Sequence, residues 1–228
     1  MHELHREFIP PQSPDERIWK YMDFTKFVSL LSRSELFFSR ADKLGDQYEG
    51  SYPKANDRIS IDNFHEIQIK VEKLKKSILI NSWNRNEYES AAMWKMYLKS
   101  NEGIAITSTF ERLKKSFSVS PDKIYVGIVK YHDYETIPIS VHSLFLPFIH
   151  KLKSYEFENE LRAIHYIKAK KTIENGKYIK IDISTLVEKI YIAPNAENWF
   201  KELVTQVVKD YNLNIEIISS SLNDRNLK

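Results

Sequence analysis

The sequence contains no cysteine. Disulfide bonds, thiolate nucleophiles and zinc sites built on cysteine are therefore excluded. The absence fits a cytoplasmic setting, where disulfides are rare, and we expect a cytoplasmic protein. The first residues have no apolar core of the secretory-signal kind, and no apolar run approaches the roughly 20 residues that a membrane helix needs. We therefore expect no membrane partner.

Glycine is also scarce, with five in 228 residues. Neither GxGxxG nor GxxxxGKS occurs, which argues against a phosphate-binding loop of either kind. The histidines are scattered without HExxH or paired spacing, and no GxSxG motif marks a serine nucleophile. We expect no metal cofactor.

Charge is abundant but balanced, and the formal net charge is +3. That excess is too small to indicate nucleic-acid binding from composition alone. Aromatic residues are numerous, with 13 Tyr, 12 Phe and 4 Trp, which suits an aromatic-rich core.

Strand-like and helix-like patterns alternate irregularly along the chain, without the regular βαβ order of a doubly wound sheet. The patterns predict an α+β fold with mixed, largely antiparallel sheet(s) flanked by helices. We expect a flexible arm over 1–16, a single domain over 17–222 and a frayed tail over 223–228. Asp23 is the expected N-cap of the first helix, with Thr25 as the alternative, and Asn195 is a candidate N-cap of the last helix. Residues 140–154, "SVHSLFLPFIHKLKS", are expected to be mostly helical.

The stretch "EFENELR" carries the clearest candidate chemistry. As a strand it would send Glu156, Glu158, Glu160 and Arg162 to one face, because alternate side chains share a face. Clustered carboxylates raise one another's pKa and suit acid–base or cation-stabilising work. The alternative is a solvent-facing side on which a glutamate pairs with Arg162.

The stretch "FFSRADKLGDQYEG" places Ser39 and Arg40 at a strand end, where function often lies. Arg40 has the geometry to bind a phosphate, and the alternative is a pair with Asp42 or Asp46. The stretch "WKY" gives Lys20 and Tyr21 on a short strand, and Trp83 ends another strand where it would edge a pocket.

Six segments in order resemble the bacterial family of domain of unknown function 2971. They are "IWKYMDF", "LLSRSELFFSRADKLGDQYEG", "MWKMYLKSNEGIAITSTF", "VKYHDY", "YEFENELRAI" and "EKIYIAP". The resemblance runs from about residue 17 to 222. The chain departs from it at Gly45–Tyr48, Met96 and Glu102.

A strand with a basic or aromatic residue, a strand ending in serine and a later Glu-x-Glu strand also resemble the plan of ADP-ribosyltransferases. This resemblance implies a split sheet that binds NAD as a co-substrate. It implies Glu160 as the catalytic carboxylate and Glu158 as the acceptor-side residue. The residues implied to hold NAD are Lys20, Tyr21, Ser39, Arg40, Trp83 and Arg162, with Trp83 or Tyr48 as the aromatic that stacks on nicotinamide.

Three functions follow as hypotheses. The first is an NAD-dependent ADP-ribosyltransferase or NAD glycohydrolase, of the toxin or phage-defence kind, whose acceptor is a protein or a nucleic acid. The second is a non-catalytic module that binds nucleic acid or protein through the basic runs "KVEKLKKS" and "ERLKKSF". The third is a metal-dependent nuclease with Asp46, Glu49 and the glutamate-rich stretch as ligands.

Overall fold

The computed structural model describes residues 2, 3, 5–46, 48–98, 100–168 and 173–222. The predicted tail, 223–228, lies outside the described residues. The chain forms two compact units. Unit 1 comprises Met1–Pro11, Phe37–Ser82 and Pro121–Ile179, and unit 2 comprises Gln12–Leu36, Trp83–Ser120 and Lys180–Lys228.

The strands are β1 (His2–Glu3), β2 (Arg17–Asp23), β3 (Glu35–Arg40), β4 (Ile78–Arg85), β5 (Gly103–Thr109), β6 (Ile124–Ile128), β7 (Lys130–His132), β8 (His150–Leu152), β9 (Glu160–Tyr166), β10 (Gly176–Lys180), β11 (Lys189–Ile192) and β12 (Glu216–Ser219). The α-helices are α1 (Phe24–Arg33), α2 (Phe64–Leu74), α3 (Ala91–Tyr97), α4 (Phe110–Ser116), α5 (Ile183–Leu186) and α6 (Asn198–Asp210). Short 3-10 helices are Ala41–Lys43, Lys54–Arg58, Phe117–Val119, Leu146–Phe148 and Lys153–Glu158.

In unit 1 the strand order is β1-β6-β9-β4, β3 pairs with β4 and β10, and β7 pairs with β8. In unit 2 the order is β4-β2-β5-β11-β12. Strand β4 appears in both orders because the boundary between the units, Ser82 to Trp83, lies within it. The β6–β9, β3–β4, β2–β4, β2–β5 and β5–β11 pairs are antiparallel, whereas β1–β6, β7–β8 and β11–β12 are parallel. The predicted α+β class with a mixed, largely antiparallel sheet is confirmed. In the described part of the chain, no helix has the length and apolar character that crossing a bilayer requires.

Local sequence explains the start of α1. The Asp23 carboxylate accepts the backbone N–H of Lys26 at 2.8 Å, so it is the N-cap that the sequence predicts. Phe27, Leu30 and Leu31 are buried, which is the i, i+3, i+4 pattern of an amphipathic helix. The last helix differs from the prediction, because its N-cap is Glu197 rather than Asn195.

Each unit has its own apolar core. One cluster of buried residues in unit 1 comprises Phe8, Ala41, Val71, Ile78, Ile80, Ile139, Leu146, Phe148, Ile149 and Ile164. One cluster in unit 2 comprises Trp19, Tyr21, Met93, Trp94, Ala105 and Ala193. Phe8 belongs to the segment expected to be an arm, and it packs so closely on β6 that a Cβ at Gly127 would lie 2.9 Å from its Cα.

The expectation of a mostly helical segment over 140–154 is wrong. Only Leu146–Phe148 forms a 3-10 turn, and β8 follows at His150–Leu152. Pro147 lies in the first turn of this 3-10 helix, and it opposes a helix that would run into it from residues 140–146, because it supplies no N–H for the hydrogen bond to the preceding turn. Strand β8 has a direct consequence for the site, because it brings Lys151 to the predicted glutamates.

Candidate functional site

The glutamate-rich stretch is not one strand. Lys153–Glu158 is a 3-10 helix, Asn159 is left-handed with φ of 39°, and β9 begins at Glu160. The prediction that four charged side chains line one strand face is therefore wrong. Glu156 is exposed and pairs with Lys153 at 2.7 Å. Asn159 reverses the chain because asparagine tolerates the left-handed region better than most residues.

Glu158 and Glu160 nevertheless meet, at the ammonium of Lys151. The Lys151 Nζ lies 2.5 Å from Glu158 Oε2 and 2.9 Å from Glu160 Oε1. All three side chains are buried, with 8%, 10% and 6% of their surface exposed. The contact therefore lies in a largely water-free environment, where the attraction between charges is strong.

Arg162 completes the group from the same face of β9 as Glu160. Its Nε donates to Glu160 Oε2 at 2.9 Å, and its Nη2 donates to Glu49 Oε2 at 2.8 Å. Its Nη1 donates to the second oxygen of Glu49 and, at 2.8 Å, to the carbonyl of Phe148. We call Glu49, Lys151, Glu158, Glu160 and Arg162 the buried ion cluster.

The buried ion cluster has three carboxylates and two cations, so its charges do not balance unless one carboxylate holds a proton. Burial by itself would raise the pKa of Glu160, but Arg162 and Lys151 outweigh burial and hold that pKa well below its usual range. Burial and the neighbouring Glu160 raise the pKa of Glu158 to about 7. The arrangement thus favours an ionised Glu160 and a Glu158 that gains or loses its proton near neutral pH.

The backbone of Glu160 is also fixed. Its N–H donates to the Tyr131 hydroxyl at 2.9 Å, and its carbonyl accepts the N–H of Val129 at 3.0 Å. Burial, together with the charge of Glu160, raises the pKa of Tyr131. Glu160 is therefore held through both its main chain and its side chain.

Arg40 pairs with Asp42, which is the alternative to phosphate binding that the sequence left open. Its Nε and Nη2 bind the two oxygens of Asp42 at 2.8 Å and 2.5 Å, and its Nη1 donates to the carbonyl of Ile173. The neighbouring Ser39 is half-buried, with its hydroxyl 3.5 Å from the carbonyl of Arg40. A phosphate would have to displace Asp42 to reach this guanidinium.

The other predicted NAD-binding residues belong to unit 2. Lys20 places its ammonium 5.4 Å from the centre of the Trp83 ring. Trp83 is 1% exposed, and its Nε1 has no hydrogen-bond partner within the described residues. Tyr21 is buried, accepts the N–H of Ser90 at 2.8 Å and packs edge-on against Trp94. Their predicted roles toward NAD stay predictions.

Sequence reasoning missed Lys151 and the bond between Glu49 and Arg162. Lys151 lies in a segment predicted to be helical, and nothing local indicates that it would face Glu158 and Glu160. The sequence suggests Glu49 only as a metal ligand, and Glu49 is 113 positions from Arg162. A separation of that size leaves no periodic signal in the sequence.

The structure also bears on the two alternative functions. Glu49, proposed as a metal ligand, binds Arg162, and no group of three His, Asp or Glu suited to a metal is found across the described ranges. In the first basic run, Lys75 is buried and binds Ser51 at 2.9 Å and Glu72 at 2.8 Å. In the second, Lys114 pairs with a glutamate at 2.5 Å. The pairing reduces the charge that either run offers to a nucleic acid.

Searches against protein-family models and curated proteins found no match. Among solved structures, the chain is similar to Thermus sp. 2.9 DarT in complex with carba-NAD+, with NAD+ and with ADP-ribosylated ssDNA. The identities are 10%, 10% and 11%, and the TM-scores are 0.43, 0.44 and 0.44. The alignments cover 92–93% of this chain and 96% of those chains.

We expect Arg162→Met to lower the free energy of unfolding by about 3–5 kcal/mol, because it leaves Glu49 and Glu160 buried without their cation. Urea denaturation followed by circular dichroism measures the change. The control is Lys153→Met, which breaks the exposed pair with Glu156 and should cost less than about 1 kcal/mol. Equal losses in the two variants would show that the buried ion cluster does not stabilise the fold.

The pH dependence of stability should reveal the proton on Glu158. Its folded pKa, about 7, lies above the usual 4.5, so the native state binds the proton more tightly than the unfolded chain does. Stability should therefore fall as pH rises from about 5 to 7, by up to about 1.4 kcal/mol per pH unit. Glu158→Gln removes the titrating group, and its urea midpoint should be flatter than that of the wild type over the same range. Parallel curves for the two proteins would contradict the assignment.

Proposed function

We propose that this chain consumes NAD, either transferring ADP-ribose to an acceptor or hydrolysing NAD, with Glu160 and Glu158 as its two carboxylates. One observation carries the proposal: both glutamates bind the ammonium of Lys151, and Glu160 also accepts from Arg162, which favours an ionised Glu160 beside a Glu158 of raised pKa. Two carboxylates whose surroundings push their pKa values apart are a common basis for dividing catalytic roles.

Glu160 is assigned to the step in which nicotinamide leaves. The bond between ribose C1′ and the nicotinamide nitrogen breaks, nicotinamide takes the bonding electron pair, and positive charge develops on the ribose. A fixed, ionised carboxylate stabilises charge at the place where it develops. Glu160 meets this need because Arg162 and Lys151 keep it ionised and Tyr131 fixes its backbone.

Glu158 is assigned to the acceptor. It takes a proton from a hydroxyl or amine of the acceptor, or from water, whose oxygen or nitrogen then forms the new bond to C1′. A general base works best when its pKa lies near the working pH, and that of Glu158 is about 7. Glu158 and Glu160 have 10% and 6% of their side chains exposed, so contact with a ribose requires side chains around the buried ion cluster to move.

The remaining assignments derive from the resemblances alone. Ser39 and Arg40 are proposed to bind NAD in unit 1, Arg40 after its release from Asp42. Arg162 acts on the substrate only through Glu160, because its own donors are used inside the buried ion cluster. Lys20, Tyr21 and Trp83 remain predicted NAD contacts. Membership of the family of domain of unknown function 2971 and a toxin or phage-defence role belong to the same proposal.

The assay is release of nicotinamide from NAD, with ADP-ribosylated products identified by mass spectrometry. Glu160→Gln should lower the rate by about 10²–10³-fold, because an amide carries no charge to stabilise the ribose cation. Glu156→Gln is the matched control, since Glu156 is an exposed glutamate four positions away and its loss should leave the rate unchanged. Activity that survives Glu160→Gln in a folded protein would refute the role assigned to Glu160.

A further inference from the structure

Lys151 is placed by the fold rather than by its local sequence. It lies in β8, directly before the 3-10 helix that carries Glu158, and its Nζ contacts carboxylates from that helix and from β9. The ammonium also lies 4.6 Å from the centre of the Tyr155 ring. Carboxylates on two sides and an aromatic face on another leave this charge well compensated.

A buried ammonium is costly unless it is paired and hydrogen-bonded. Burial by itself would lower the pKa of Lys151, but Glu160 outweighs it, and the pKa is raised. Lys151 is therefore an ionised lysine at working pH. The side chain is 8% exposed, so little water competes for its three donors.

The two glutamates receive unequal support. Glu160 accepts from both Lys151 and Arg162, and Glu158 accepts from Lys151. Removal of Lys151 would leave Arg162 at Glu160 and would take from Glu158 an ammonium that lies 2.5 Å away. Among the described residues, Glu49 and Tyr131 are further titratable groups near Glu160, and Tyr155 lies against the Lys151 ammonium.

We propose that Lys151 is a positioning residue that gives Glu158 and Glu160 their separate roles, because its ammonium holds both carboxylates while Arg162 contacts Glu160. This inference rests on the proposed function for its catalytic meaning. Its physical content, that one ammonium controls the protonation of two glutamates, stands apart from the identity of the substrate.

The first test needs no substrate. Carbon-13 NMR of labelled glutamate side chains follows each carboxyl from pH 4 to 9, and Glu158→Gln and Glu160→Gln assign the two signals. In the wild type we expect Glu158 to titrate near pH 7 and Glu160 to stay ionised across the range. In Lys151→Met both pKa values should rise by about 1–3 pH units, since an opposite charge is lost from contact.

Two further variants separate positioning from simple packing. Lys151→Arg keeps the positive charge, so Glu160 should stay ionised. Lys153→Met removes the neighbouring exposed lysine, which pairs with Glu156, and should leave both titrations unchanged. If Lys151→Met does not fold, Lys151→Gln keeps a donor without the charge and should show the same rise. Wild-type titrations in Lys151→Met or in Lys151→Gln would overturn the inference.

The second test measures nicotinamide release against pH. Wild-type activity should rise through about pH 7 as Glu158 loses its proton. In Lys151→Met that rise should move upward by at least one pH unit, which lowers the rate at pH 7 by about fivefold or more, and Lys151→Arg should restore it. A purely structural lysine would lower the rate equally at every pH. If the wild type releases no nicotinamide but the carboxyl titrations shift as expected, the proposed function fails and the role of Lys151 in protonation stands.

Discussion

The bidentate contact between Arg162 and Glu49 is the interaction on which the centre of unit 1 depends. Arg162 is 1% exposed, and a guanidinium so deeply buried must have all its donors paired. Glu49, Glu160 and the carbonyl of Phe148 supply the acceptors. The loop after β3, the turn before β8 and the start of β9 are thereby fixed around one side chain.

This constraint explains why a buried region contains so much charge. The buried Arg162 side chain in β9 requires carboxylates as partners. Lys151 supplies a second cation, which pairs with Glu158 and Glu160. Hydrophobic side chains of similar volume would often stabilise a fold equally well. The charges also place two glutamates at one ammonium, with Glu160 in contact with Arg162 as well.

The sequence predicted the parts of this arrangement that depend on short-range order. Asp23 capped α1 as expected, and the irregular order of strands and helices indicated the α+β class. The sequence also predicts a candidate site around Glu158 and Glu160, from a one-strand geometry that the structure contradicts. The alternation of charged residues in this stretch predicts one strand. In the structure, the stretch is a 3-10 helix, then Asn159 in the left-handed region, then a strand. The sequence period alone does not show this break at Asn159.

By itself, the sequence determined the types of residue available for chemistry: no thiols, little glycine, and closely spaced carboxylates beside an arginine. Only the tertiary structure decided which of them meet. In the folded chain Arg40 pairs with Asp42, and Glu49 contacts Arg162 across 113 positions. Lys151 contacts both Glu158 and Glu160. The physical reason is that burial, not spacing along the chain, sets the strength of a charge–charge contact, and burial is a property of the folded chain as a whole.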